Sequence, residues 1–208
     1  DELKRRACAL LPVAALEPPD RALFIERHLA QYTKSLDRPR VERIAASPLA
    51  GSPLYLRALL EELRVWGDHL TLDRQIDAYL AAASIDDLYQ RILERWERDY
   101  ERGRAGLVRD AMTLLHASRR GLSEAELLDL LGSDGRPLPR AHWSPLYLAA
   151  ERSLVTRGGL LSFFHPYLRR AVERRYLAGD TAWREPHFVL AGYFERRPRG
   201  DRRTEELP

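Results

Sequence analysis

The sequence predicts a mainly α fold, a helical bundle followed by a three-helix segment that carries one small β-hairpin. Three observations point there. Apolar residues recur at spacings of three and four along most of the 208 residues, the repeat of helices with one buried face. Only residues 153–164 show two short apolar runs around a Gly-Gly pair. The composition, 45% hydrophobic and 31% charged, is that of a globular chain long enough to bury a core.

Residues 8–16 are apolar and read as a short buried strand that enters the domain. Asp20 stands where an N-cap belongs, and Leu23, Phe24, His28, Leu29 and Tyr32 follow at helical spacing. A second short helix is predicted over 39–46. Gly51-Ser52-Pro53 then breaks the chain, and Pro53 fits the first turn of a helix, where its missing N–H costs nothing. Leu56, Leu59, Leu60 and Leu63 make the stripe of that helix, which ends near Trp66-Gly67. Another helix is predicted over 73–80. Ser84 caps a long amphipathic helix carrying Ile85, Leu88, Tyr89, Ile92, Leu93, Trp96 and Tyr100.

Beyond Gly103 the pattern changes. Leu107, Val108, Ala111, Met112, Leu114 and Leu115 form one helix. Ser123 and Glu126 make a capping box for a second, which carries Leu127, Leu128, Leu130 and Leu131 and stops at Gly132. A polar loop over 133–138 leads to a third helix with Trp143, Leu146, Tyr147 and Leu148. The runs 153–157 and 160–164 around Gly158-Gly159 predict a tight hairpin. Three helices and a hairpin follow the winged-helix order. His165-Pro166 opens a further helix with Tyr167, Leu168, Ala171, Val172 and Tyr176, and a last one covers about 180–195. The division that follows is a helical domain over 1–102, a winged-helix domain over 103–178, and a terminal helix with an arginine-rich linker over 179–208.

Several chemistries are excluded. A phosphate-binding loop needs Gly-Lys before Ser or Thr, and neither Lys4 nor Lys34 follows a glycine. The six histidines never fall three or four apart, and Cys8 is the only cysteine, so a zinc site and an internal disulfide are not expected. No Gly-x-Ser-x-Gly elbow occurs. No catalytic site is expected within this chain. A lone thiol fits a reducing, cytoplasmic setting, and no apolar run is long enough for a membrane. Arginine far outnumbers lysine and asparagine is absent, which reads as the codon bias of a GC-rich, bacterial genome.

Net charge is +3, with 34 basic and 31 acidic residues interspersed. That describes a solvated mixed surface better than a nucleic-acid footprint. The densest basic stretch is Arg196, Arg197, Arg199, Arg202 and Arg203, which reads as an exposed linker around Pro198 and Gly200.

Two places could hold chemistry. His165 precedes a helix N-terminus, where free N–H groups and a partial positive charge favour phosphate. A packing or capping histidine is the plainer explanation. Gly51-Ser52-Pro53-Leu54 presents a rigid apolar edge suited to a flat ring, although taken alone an ordinary helix-starting proline is the better explanation.

Taken together and in order, these features resemble the stretch that follows the nucleotide-binding core in STAND NTPases of the NACHT and AP-ATPase branches. Residues 51–56, Gly-Ser-Pro-Leu-Tyr-Leu, are similar to the Gly-x-Pro-Leu motif, and the resemblance implies that Gly51, Pro53 and Leu54 line an adenine pocket. Residues 163–169, Phe-Phe-His-Pro-Tyr-Leu-Arg, are similar to the Met-His-Asp segment, which implies that His165 reaches a β-phosphate. Pro166 replaces the aspartate of that motif, so its capping role is lost. Residues 121–127 resemble the entry to a winged helix of this class.

The resemblance implies ADP or ATP as cofactor, with Mg held by a nucleotide-binding core outside these residues. That core is the implied partner, with oligomerisation on activation and a parent protein that is an ATPase. It also implies repeats beyond the arginine-rich end, and a place in bacterial defence. The leading expectation is a regulatory module that closes over bound nucleotide and switches on exchange. A DNA-binding winged-helix regulator and a protein–protein scaffold are the alternatives. Against the first of these, Trp143, Leu146 and Tyr147 look like core, leaving Arg140 and His142 to read bases.

Overall fold

The computed structural model describes residues 14–197 and 200–206. The chain divides into two compact units, residues 1–60 and 61–208. The divisions expected near 102 and 178 both fall inside the second.

In the first unit, α1 (Pro18–Ala30) packs against α2 (Arg38–Ala45), and a short 3-10 turn (Pro48–Gly51) leads into α3 (Pro53–Val65), whose residues from Glu61 onward are counted with the second unit. Ile25 and Leu29 of α1, Val41 and Ile44 of α2, and Tyr55 and Leu56 of α3 are buried. Asp20 does not cap α1. The helix starts three residues earlier, with Glu17 at the cap position, because Pro18 and Pro19 fit the first turn, where a missing N–H costs nothing, and Asp20 lies within that turn. Asp37 caps α2 by accepting the Arg40 N–H. Of the strand expected over 8–16, residues 8–13 lie outside the described part, and 14–16 form no strand.

The second unit contains α4 (Leu72–Leu80), α5 (Ile85–Tyr100), α6 (Leu107–Ala117), α7 (Glu124–Leu131), α8 (Arg140–Ala150), β1 (Leu154–Arg157), β2 (Leu160–Phe163), α9 (Pro166–Tyr176), α10 (Asp180–Glu195) and α11 (Asp201–Glu206). Helix α6 is the hub, with α5, α7, α9, α10 and β2 all against it. Its buried residues run around the helix, as a central helix requires. Ser84 caps α5 through the Asp87 N–H, and Ser123 with Glu126 forms the expected capping box of α7.

The hairpin pairs Leu154 with Phe163 and Arg157 with Leu160. Gly158 and Gly159 have φ of 58° and 81°, both positive as a two-residue type I′ turn demands. An isolated antiparallel bridge joins Leu122 to Leu161 through two main-chain hydrogen bonds and ties the hairpin to the segment that enters α7. Gly121 makes that approach possible. Its φ is +93°, and a Cβ there would stand 2.3 Å from the Leu161 carbonyl oxygen.

The seam between α5 and α9 is partly ionic. Arg175 pairs with Glu97 at 2.6 Å and Glu94 at 3.3 Å, Arg170 with Asp86 at 2.8 Å, and the Gln90 amide donates to the Ala171 carbonyl. Beneath α5 lies a buried polar knot. Glu62 accepts from the Tyr79 hydroxyl at 3.0 Å, from the Trp96 indole N–H at 3.1 Å and from the Arg95 guanidinium. Burial opposes the charge on Arg95, but the Glu62 carboxylate more than offsets it and holds the guanidinium pKa above its usual value.

Two expectations are corrected here. Tyr147, expected in the core, is only half-buried, because Trp143, Leu146, Ala149 and Ala150 take the inward face of α8. The arginine-rich end is not wholly an open linker. Residues 201–206 form α11, which packs on α10, because Arg202 pairs with the buried Glu126 and Glu206 accepts the main-chain N–H groups of Arg119 and Arg120.

Candidate functional site

Gly51 closes the 3-10 turn in the first unit and is buried. Its carbonyl accepts the Leu16 N–H at 2.8 Å. A Cβ on Gly51 would stand 3.2 Å from the Ala15 Cβ and 3.4 Å from the Arg21 guanidinium, so the chain itself fills the space beside it. Arg21 ties this corner together by donating to the carbonyls of Leu16 at 2.7 Å, Ala45 at 3.0 Å and Ser47 at 3.3 Å. The Ser52 hydroxyl accepts the Tyr55 N–H and so caps α3. Pro53 is exposed at the helix start and Leu54 is half-buried beside it, so the motif offers the apolar edge expected from its sequence. Sequence reasoning missed Arg21, because its acceptors are backbone carbonyls up to 26 positions away.

His165 lies in the second unit. It occupies the N-cap position of α9 with φ −136° and ψ 143°, and its side chain makes no cap hydrogen bond. The imidazole instead stacks on the Tyr167 ring at 4.7 Å and 3°, and the Arg170 guanidinium covers that ring at 4.4 Å. The ring is half-buried, and its Nδ1 is buried without a hydrogen-bond partner among the described residues. His165 borders an open cleft of about 590 Å³ whose walls include Arg120, Arg157, Phe164 and Arg169. A cleft with several guanidinium groups and an orphaned ring nitrogen has the chemistry to receive an anion.

A second histidine, marked by no sequence motif, is buried in the second unit. His116 of α6 is 2% exposed, and its Nε2 lies 2.8 Å from the Glu173 carboxylate of α9. The Trp183 ring of α10 meets it edge-on at 5.2 Å. Burial pushes the imidazole below its ordinary pKa, Glu173 opposes that, and Arg169 and His187 reinforce it.

Helix α8, the element that would read DNA, turns Ala141, Pro145 and Leu148 outward. Arg140 at its start pairs with Glu124 at 3.3 Å. Among the described residues no group of three or more His, Cys, Asp or Glu could hold a metal ion, and no helix is long and apolar enough to cross a membrane.

No family model matches the chain, and no solved structure matches it. Among curated proteins, the chain is 30% identical over 207 residues to a TPR repeat-containing protein of Dictyostelium discoideum, covering 99% of this chain and 12% of that protein. It is 31% identical over 192 residues to tetratricopeptide repeat protein 41 of Mus musculus, covering 76% of this chain and 15% of that protein. It is 29% identical over 204 residues to NACHT domain- and WD repeat-containing protein 1 of Mus musculus, covering 88% of this chain and 12% of that protein. These sources lend no support to a bacterial origin. The chain thus spans about an eighth of the length of the relatives it matches, and it is a distant homologue of proteins named for tetratricopeptide repeats and for NACHT and WD repeats.

Proposed function

We propose that this chain is a protein–protein scaffold module within a larger, repeat-bearing protein. The observation that carries this reading is apolar surface left exposed on two helices of the second unit. Ala141, Pro145 and Leu148 form an exposed stripe at i, i+4 and i+7 on α8, and Phe188 of α10 is 72% exposed. Exposed apolar side chains of that kind suit contact with another protein surface better than hydrogen bonding to base edges. The similarity to proteins named for tetratricopeptide and WD repeats supports the same reading.

The test is made in the full-length parent. Leu148→Glu with Phe188→Glu leaves the melting temperature of the module in place and changes the parent's assembly state in analytical ultracentrifugation. Unchanged assembly would remove the reading. Tight, salt-sensitive binding of random duplex by the wild-type chain would replace it with a nucleic-acid role.

A second reading rests on a specific observation, the buried Nδ1 of His165 that lacks a partner at the start of α9. The 103–178 segment, with its helix–helix–helix–hairpin order, acts in this reading as a winged-helix lid over ADP or ATP held by a nucleotide-binding core. In this reading His165 meets the phosphate of the nucleotide that the core holds. The NACHT-named relatives support it. The nucleotide supplies the negative charge that biases the lid between two states, and the chain supplies the contacts that sense it. His165→Ala in the full-length parent is expected to lower retained ADP. Wild-type retention would end this reading and leave the scaffold role standing.

A further inference from the structure

Helix α11 is six residues long, and isolated helices shorter than about 12 residues are marginal in water. Two side chains one turn apart hold it in place. Glu206 reaches the turn after α6, where its carboxylate accepts the N–H of Arg119 at 2.8 Å and the N–H of Arg120 at 3.0 Å. Two successive main-chain N–H groups converging on one carboxylate form an anion cradle. Glu206 is only 9% exposed, so it sits in this cradle largely out of water.

Arg202 reaches the start of α7. Its guanidinium donates to both oxygens of Glu126, at 3.1 and 3.0 Å, and to the Gly121 carbonyl at 3.0 Å, while covering the Phe194 ring at 5.4 Å. Glu126 already accepts the Ser123 N–H in the capping box of α7. Residues 119–126 therefore place an anion-seeking end and a cation-seeking end side by side. The tail supplies the matching pair, an arginine four residues before a glutamate.

We propose that this surface is a receptor for a helical turn bearing Arg at one position and Glu four residues on, and that α11 is its releasable occupant in cis. A partner helix with the same spacing displaces the tail. A bare phosphate is a poorer competitor, because it would satisfy the two N–H groups while lying against the Glu126 carboxylate. Release also uncovers one wall of the cleft that contains His165, since Glu205 of the same helix lines it. The proposal stands on the tail contacts alone and does not require nucleotide binding.

The test uses the whole 208-residue chain as wild type, as Glu206→Gln, and as Arg202→Ala with Glu206→Ala. Hydrogen exchange is followed at the Arg119 and Arg120 amides. Fluorescence anisotropy follows a labelled peptide spanning residues 200–206. Exchange at both amides is expected to quicken by about tenfold or more in Glu206→Gln, as loss of a charge-assisted hydrogen bond implies. The double variant is expected to capture the peptide, the wild type to leave it free, and a peptide with the two residues interchanged to bind neither.

Unchanged exchange in Glu206→Gln overturns the proposal, and so does equal capture by wild type and double variant. Displacement of the peptide by inorganic phosphate at equal concentration overturns the receptor in favour of a simple anion site. Glu206→Gln preserves the shape of the side chain, so the exchange result decides even where the double variant is unstable.

Discussion

Arg95→Met cuts the buried polar knot where the structure makes it most costly. Both charges of the Glu62–Arg95 pair are 3% exposed or less. Removing the guanidinium leaves the Glu62 carboxylate with two neutral donors, the Tyr79 hydroxyl and the Trp96 indole N–H. Breaking a buried pair from one side costs roughly 3–5 kcal/mol, because the remaining charge keeps its desolvation penalty. For a chain of this size about 2–4 °C is lost per kcal/mol, so the melting temperature is expected to fall by about 6–20 °C. Adding Glu62→Gln removes the stranded charge and keeps a carbonyl for Trp96, so the double variant recovers most of the loss. Urea unfolding with a double-mutant cycle measures both effects. A single-variant cost under about 1 kcal/mol, or a double variant no more stable than the single, would refute the idea that the pair is held out of water at a cost only its partner offsets.

Three further outcomes are expected. Gly121→Ala places a methyl group against the Leu161 carbonyl at a positive φ, and urea denaturation should register a loss of about 1–3 kcal/mol. Ser123→Ala removes one half of the α7 capping box, and the same assay should show about 1 kcal/mol lost. His116 has a lowered native pKa, so below about pH 6.5 the unfolded chain takes up a proton that the native one refuses, and stability falls with pH across the interval between the two values. Urea midpoints measured from pH 7.5 down to 5.5 should show that slope, and His116→Gln should flatten it.

What the sequence revealed was mostly local. Ser84 and Ser123 announce their helices because a cap and its N–H lie three residues apart. The hairpin is legible because Gly158 and Gly159 carry the turn chemistry themselves. Tyr147 reads as core from its spacing but lies at the margin of the inward face of α8, because apolar spacing alone does not settle where that face ends. Glu206 and Arg202 were invisible as structural residues because their partners lie 76 to 87 positions earlier. The same distance effect hid the His116–Glu173 contact and the knot at Glu62. At the two candidate sites, sequence located the residues but not their surroundings. The chain's own filling of the space beside Gly51 and the stacking of His165 on Tyr167 are properties of packing.

The hairpin tip has a practical consequence. A side chain on Gly158 or Gly159 would find no atom within 4 Å, so the turn projects into open space. Lengthening a surface loop costs little chain entropy, about 0.6 kcal/mol per doubling. A short epitope or a fluorophore-bearing insert can therefore be spliced between these two glycines without disturbing the core, as exposed loop tips generally allow. Because β2 runs directly from this tip toward His165, such an insert is a natural reporter position for events at the cleft, readable in the parent protein without altering any residue that lines it.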